Sequence, residues 1–144
     1  MNDVTESTKD TLGWLLNTLV DNVPGARCAV VLAGDGLLME HSRALRRDTA
    51  ETLAAVASSL QGAAKGPGLM LDGGPVRQTM VEYVDGCLFV MAAGENASLA
   101  VYTAADVDLG LIAYEMTTMV KRVGAHVKAA TRRTATAQAH GLRA

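Results

Sequence analysis

Cysteine, histidine and long apolar runs are all scarce in this chain, and each shortage removes a class of function. The two cysteines, Cys28 and Cys87, lie far apart inside apolar stretches. No CxxC or Cys/His spacing accompanies them, so they read as buried free thiols rather than metal ligands. Of the three histidines, His41 falls at a strand end, His126 on a late helix and His140 near the C-terminus. A catalytic nucleophile needs a base within reach, and no serine or cysteine occupies a recognisable elbow. The histidines therefore read as surface or structural groups, and no enzyme is expected. No stretch approaches eighteen apolar residues, so no membrane insertion is expected. The opening, MNDVTESTKD, is polar and acidic and lacks the basic start and apolar run of a signal peptide, which points to a cytoplasmic protein.

Phosphate-binding glycines are missing too. Gly34-Asp35-Gly36 and Gly73-Gly74-Pro75 match neither GxGxxG nor the P-loop pattern, and both read as turns. The acid pairs Asp48/Glu51 and Asp106/Asp108 are explained by helix N-termini, where carboxylates are stabilised by the helix dipole. No cofactor and no metal are expected.

What is present is enough for one domain, since 144 residues can bury roughly two-thirds of the unfolded surface. The net charge is only −2, yet it is unevenly spread. All fifteen acids precede residue 116, while Lys121, Arg122, Lys128, Arg132, Arg133 and Arg143 follow with no acid among them. That basic end carries no interleaved aromatics to stack on bases, and no nucleic acid is expected as a partner.

Leu12, Leu15, Leu16, Leu19, Val20 and Val23 keep the spacing of one helical face. Ser7 and Asp10 resemble a capping box in front of it, and Pro24-Gly25 ends it. Residues 27–33 form a β-branched apolar run, turned at Gly34-Asp35-Gly36 into a returning strand over 37–42. Asp48-Thr49-Ala50-Glu51 has the form of a helix N-cap, and the alanine-rich helix it opens is closed by Lys65-Gly66-Pro67-Gly68. Three strands follow, at 76–84, 87–93 and 98–103, with Asp85-Gly86 and Gly94-Glu95-Asn96 as turns. The second of these is apolar throughout and is expected at the centre of the sheet. A final helix carries Leu109, Ile112, Met116, Met119, Val120, Val123 and Val127 as its buried stripe. The order is helix, hairpin, helix, three-stranded meander, helix. One five-stranded antiparallel sheet with helices, an α+β fold, packs it economically. The domain is expected over 7–130, with a flexible 1–6 and a basic tail without structure at 131–144.

Two features invite a partner. Trp14, the lone tryptophan, falls opposite the leucine stripe of the first helix, and tryptophan is enriched at interface hot spots. The half-polar strand at 76–84, if it is an edge, offers backbone groups that must be blocked or used. Pairing with a second copy, with small-residue helices packed across the two-fold, is one use.

Several segments together resemble the roadblock / dynein light chain family, and more closely its actinobacterial members encoded beside a small GTPase. They are Gly13-Trp14-Leu15-Leu16, Val23-Pro24-Gly25 leading into Ala29-Val30-Val31-Leu32, Asp35-Gly36-Leu37-Leu38, Gly74-Pro75-Val76-Arg77-Gln78-Thr79, and Asp108-Leu109-Gly110-Leu111-Ile112-Ala113-Tyr114-Glu115-Met116. They span nearly all of residues 10–128. The resemblance implies a five-stranded sheet with the middle helix on one face and the terminal helices on the other. It also implies a homodimer built on the middle helix and the following strand, with Leu53, Ala54, Ala57, Leu60, Val76, Gln78 and Met80 as contact residues. By the same analogy the partners are a small Ras-like GTPase and a histidine-kinase-like sensor; Trp14, with the available cations Arg43, Arg46 and Arg47, is the candidate contact group. The implied role is a regulatory scaffold rather than a catalyst. Two alternatives are activation of GTP hydrolysis and a ligand-sensing domain. For the first, no arginine is marked as a finger. For the second, the crowded alanines leave little obvious room for a pocket.

Overall fold

The computed structural model describes residues 11–143, with side chains to Gln138. Helix α1 (Leu12–Asn22) starts at Thr11, whose Oγ1 accepts from the Trp14 N–H at 3.2 Å. The expected Ser7–Asp10 capping box lies outside the described residues. Pro24 cannot continue the helix, and Gly25 turns the chain at φ +93° into β1 (Ala26–Ala33). The Gly34-Asp35-Gly36 turn forms as expected, with Asp35 Oδ1 accepting from Leu37 N–H and Gly36 at φ +89°. It leads to β2 (Leu38–His41). Ser42 closes this hairpin: its N–H donates to Ala29 O and its Oγ accepts from Ala29 N–H, both at 2.9 Å.

Helix α2 spans Arg47–Met70, beyond both expected limits. Arg46 is its N-cap residue, with no side-chain cap, and Asp48 sits inside the first turn, accepting from Thr49 N–H at 2.8 Å. The acid thus faces the exposed N–H groups of the helix start without being the boundary residue. Nor does Gly66-Pro67-Gly68 end the helix. Pro67 forgoes one helical bond on the exposed side of the helix, which runs on until Leu71 N–H donates to Pro67 O. Gly68 matters for another reason. The following loop folds back so that both Gly73 and Gly74 donate to Gly68 O, and a Cβ at residue 68 would stand 2.5 Å from Gly74 O.

Strands β3 (Gln78–Tyr83), β4 (Gly86–Ala92) and β5 (Ala97–Thr103) form the meander. Every pairing is antiparallel and the sheet order is β2-β1-β5-β4-β3. As expected, β4 is internal and buried. Helix α3 (Leu109–Arg143) begins at Asp108, whose Oδ1 accepts from Leu111 N–H at 3.0 Å.

Alternate residues of the internal strands build two cores, as the pleat dictates. Ala29, Val31, Phe89, Leu99 and Val101 face α1 and α3, meeting Leu15, Leu16, Leu19, Ile112, Met116, Met119 and Val123. Val30, Leu32, Leu88, Val90 and Ala100 face α2, where only Ala50, Ala54 and Ala57 are fully covered. The middle helix therefore lies on one face and the terminal helices on the other. The stretch after residue 130 is helical rather than structureless: α3 continues to Arg143. Between residues 125 and 140 no glycine or proline interrupts it, and the described side chains of 131–138 are all exposed.

Candidate interaction surface

Strand β3 is an edge of the sheet, so one row of its backbone groups faces away from β4. Its ladder to β4 is regular from Gln78↔Met91 to Tyr83↔Gly86. Met80 is 49% exposed and Tyr83 45%, and Val84 just beyond is 94% exposed. Thr79 Oγ1 donates to Gln61 Oε1 at 2.6 Å, tying this edge to α2. The bond reaches the inner side of α2, and along β3 Val81 packs on the α2 face whereas Gln78 and Met80 stand opposite Met91 and Phe89 of the other face.

The α2 residues expected as contacts lie on the side that faces the protein's own sheet. Ala54 and Ala57 are fully buried against the protein's own sheet, and Leu53 and Leu60 pack on the same core. The outward side presents Thr52, Ala55, Val56, Ser59 and Ala63. Small residues line both sides of this helix, so its periodicity carries no contrast to orient it. Val56, 42% exposed, is the one large aliphatic side chain in that outward row and was the available signal. On β3, Gln78 and Met80 are exposed as the edge reading requires, whereas Val76 precedes the strand and is half-buried.

The other candidate group does not assemble. Trp14 is 38% exposed on the α1/α3 side, with the Arg122 guanidinium 5.6 Å from its ring centroid. Arg43 reaches α1, donating to Asp21 Oδ2 at 3.1 Å, while its N–H donates to Asn17 Oδ1 at 2.9 Å. Arg46 and Arg47 stand at the start of α2 on the opposite face, paired with Asp48 at 3.6 Å and Glu51 at 3.0 Å. All three pairs are well exposed, so each contributes about 0–1 kcal/mol and a partner can displace it cheaply.

A groove that the alanine content did not foreshadow opens on the α2 face. The first half of α2 presses on the sheet, but the second half stands off it. About 680 Å³ lies between that half, the strand ends and the 74–76 segment, lined by Leu32, Ser58, Gln61, Lys65, Pro75 and Ser98 among others. Elsewhere little chemistry is concentrated. Among the described residues no group of three His, Cys, Asp or Glu is placed to hold a metal. Cys28 and Cys87 are free thiols, and burial pushes the Cys28 thiol up, opposed in part by a backbone hydrogen bond at Tyr102. Such a thiol is a weak nucleophile near neutral pH.

Residues 12–103 match the family model described as the Roadblock/LC7 domain. The crystal structure of a Roadblock/LC7 domain from Streptomyces avermitilis is 38% identical, covers 81% of this chain and 98% of its own, and superposes with a TM-score of 0.78. Myxococcus xanthus MglB is 16% identical over 86% of this chain and 98% of its own, with a TM-score of 0.73. An MglB solved in a tetrameric arrangement is 21% identical over 76% of this chain and 82% of its own, with a TM-score of 0.70. The two MglB likenesses show a shared fold. No curated protein matches the chain. With the family model covering α1 through β5 in the order found here, this chain belongs to the Roadblock/LC7 domain family.

Proposed function

We propose that this protein is a homodimeric regulatory scaffold, without catalysis of its own, that binds a small Ras-like GTPase and links it to a histidine-kinase-like sensor. The observation that carries the reading is the unprotected β3 edge, on an element tied to α2, whose outward side carries a row of small side chains. Two copies meeting there about a two-fold would extend one sheet into the next and let the helices approach closely. A relative of the same fold is found in a tetrameric arrangement, which fits a surface made for self-association. The GTPase rests on the resemblance of residues 10–128 to proteins encoded beside one. The displaceable ion pairs of Arg43, Arg46 and Arg47 offer it cationic contacts near the sheet's β2 end.

Light scattering behind size exclusion tests both parts, first alone and then with the GTPase loaded with GDP or a GTP analogue. A dimer that takes up the GTPase in one nucleotide state is the expected result. A monomer with no affinity for either form would overturn the reading.

The groove favours a second reading, a ligand-sensing domain, because it combines an apolar floor with Ser58, Gln61, Lys65 and Ser98 at its walls. Native mass spectrometry of the purified protein would then find a small molecule retained at a fixed stoichiometry. Its absence from protein purified without dialysis would set that reading aside.

A further inference from the structure

The length of α3 changes the meaning of the basic residues. A helix ending near residue 130 would explain Lys121, Arg122 and Lys128 as charges that complement its C-terminal dipole. The helix instead runs to Arg143, and the dipole's effect falls off within the last turn. Lys121 to Arg133 lie ten or more residues before that end, so the dipole does not account for them.

At about 100° per residue, Lys121, Arg122, Lys128, Arg132 and Arg133 fall within an arc of about 140°. Ile112, Met116, Met119, Val123 and Val127 occupy the opposite arc and pack on the sheet. The cations therefore form a ridge aimed away from the body. Among the described residues no carboxylate pairs with Lys121, Lys128, Arg132 or Arg133, and Glu115, the last acid in the chain, lies only at the border of the arc. Lys128 and Arg132 are a like-charged i, i+4 pair, an arrangement that weakens a helix standing alone. Along the sequence, residues 1–120 carry fifteen acids against seven Lys and Arg, a net of −8, while residues 121–144 carry +6. At 35 residues, about 52 Å, the helix also overhangs strands of seven residues, about 23 Å.

Two exposed aromatics flank this ridge. Tyr114 is 68% exposed and lies seven residues before Lys121, on the same line of the helix. Trp14 lies beside it, under Arg122. Tyrosine and tryptophan prefer the headgroup level of a bilayer, where one part of the ring is wet and the other is not. Between the cations the arc holds Ala125, Ala129 and Thr136, with nothing bulky enough to enter the acyl region.

We propose that the solvent face of α3, from Tyr114 to Arg133 with Trp14 at its flank, docks the protein on the surface of a bilayer containing anionic phospholipid. A flat anionic surface meets the ridge first and holds the acidic body away, which fixes one orientation. A nucleic acid duplex would find the same charges but no use for the interfacial aromatics. Each cation near such a surface strengthens binding roughly fivefold.

The test is vesicle co-sedimentation of the full chain, with Trp14, the only tryptophan, as a fluorescent reporter. Vesicles of phosphatidylcholine with about one-third phosphatidylglycerol should bind at low salt, blue-shift Trp14 and release the protein in about 0.5 M NaCl. Pure phosphatidylcholine vesicles should not bind. The triple variant Lys128→Gln, Arg132→Gln, Arg133→Gln should bind about 100-fold more weakly. Arg132→Lys with Arg133→Lys, which keeps the charge, should bind as the parent does. The proposal is overturned by equal binding to neutral vesicles, by no binding to anionic ones, by loss of binding in the charge-keeping variant, or by duplex DNA taken up while vesicles are ignored.

Discussion

The two edges of the sheet are built on different plans. Strand β2 has four residues, and its ladder to β1 slips between Val31 and Leu32, so Met39 is left as an extra, bulged residue. Glu40 lies against α1, its carboxyl carbon 3.7 Å from where a Cβ on Gly13 would be. Shortness, a bulge and a charge tucked beside a helix are all means by which an edge is closed to further pairing. Strand β3 has six residues in unbroken register, with no lysine, no proline and no bulge. The same sheet is thus blunted at one side and left open at the other. Open edges are hazardous to keep, so the contrast points to β3 as the edge with a use.

The largest test of that contrast is electrostatic. Val56→Arg with Met80→Lys puts like charges on the outward side of α2 and on the open edge, both of which the proposed two-fold would bring near their own copies. The dissociation constant of the proposed dimer should rise by more than about 100-fold, read by light scattering across a concentration series. Met39→Lys at the closed edge should leave it unchanged. An equal response at both edges would remove the distinction.

A substitution behind the open edge should cost stability instead. Tyr83 on β3 and Tyr102 on β5 meet with ring centroids 6.0 Å apart, beside Gly86. A Cβ on Gly86 would run into the Tyr102 hydroxyl and stand 3.1 Å from Thr103 O. Gly86→Ala should therefore destabilise by about 1–3 kcal/mol in urea unfolding. At the closed edge, Ser42→Ala removes the acceptor for the buried Ala29 N–H, with an expected loss of about 1–3 kcal/mol, since neither residue is open to water. Smallest is Arg47→Ala, which gives up an exposed pair with Glu51 and should change stability by less than about 1 kcal/mol. Under the proposed function its larger effect is on partner binding, measured by titrating the nucleotide-loaded GTPase.

Much of the fold was legible because its punctuation is strong. Asp35-Gly36, Asp85-Gly86 and Pro24-Gly25 each mark a turn that the structure contains, and the apolar run at 87–93 could only be an internal strand. Legibility failed where side chains carry little contrast. Alanine on both sides of α2 left its facing undetermined, so Ala54 and Ala57 were assigned to a partner although their own sheet covers them. Gly66-Pro67-Gly68 has the composition of a stop, but three residues near the last turn do not outweigh a helix already formed. After residue 130 the chain has helix-compatible alanine and arginine but no apolar stripe, so periodicity had nothing to detect. The groove was hidden for a further reason. It depends on how far half a helix stands from a sheet, a distance that no local pattern encodes.

That half-helix presents two sides. Its inner side walls the groove through Ser58, Gln61 and Lys65, and its outer side carries Ser59 and Ala63 on the proposed self-association surface. The Thr79–Gln61 hydrogen bond joins it to the open strand. A body that fills the groove and a second copy that covers the outer side therefore act on one rigid element. Linkage makes their effects reciprocal: whatever factor a groove occupant applies to the association of two copies, association applies to the affinity for that occupant.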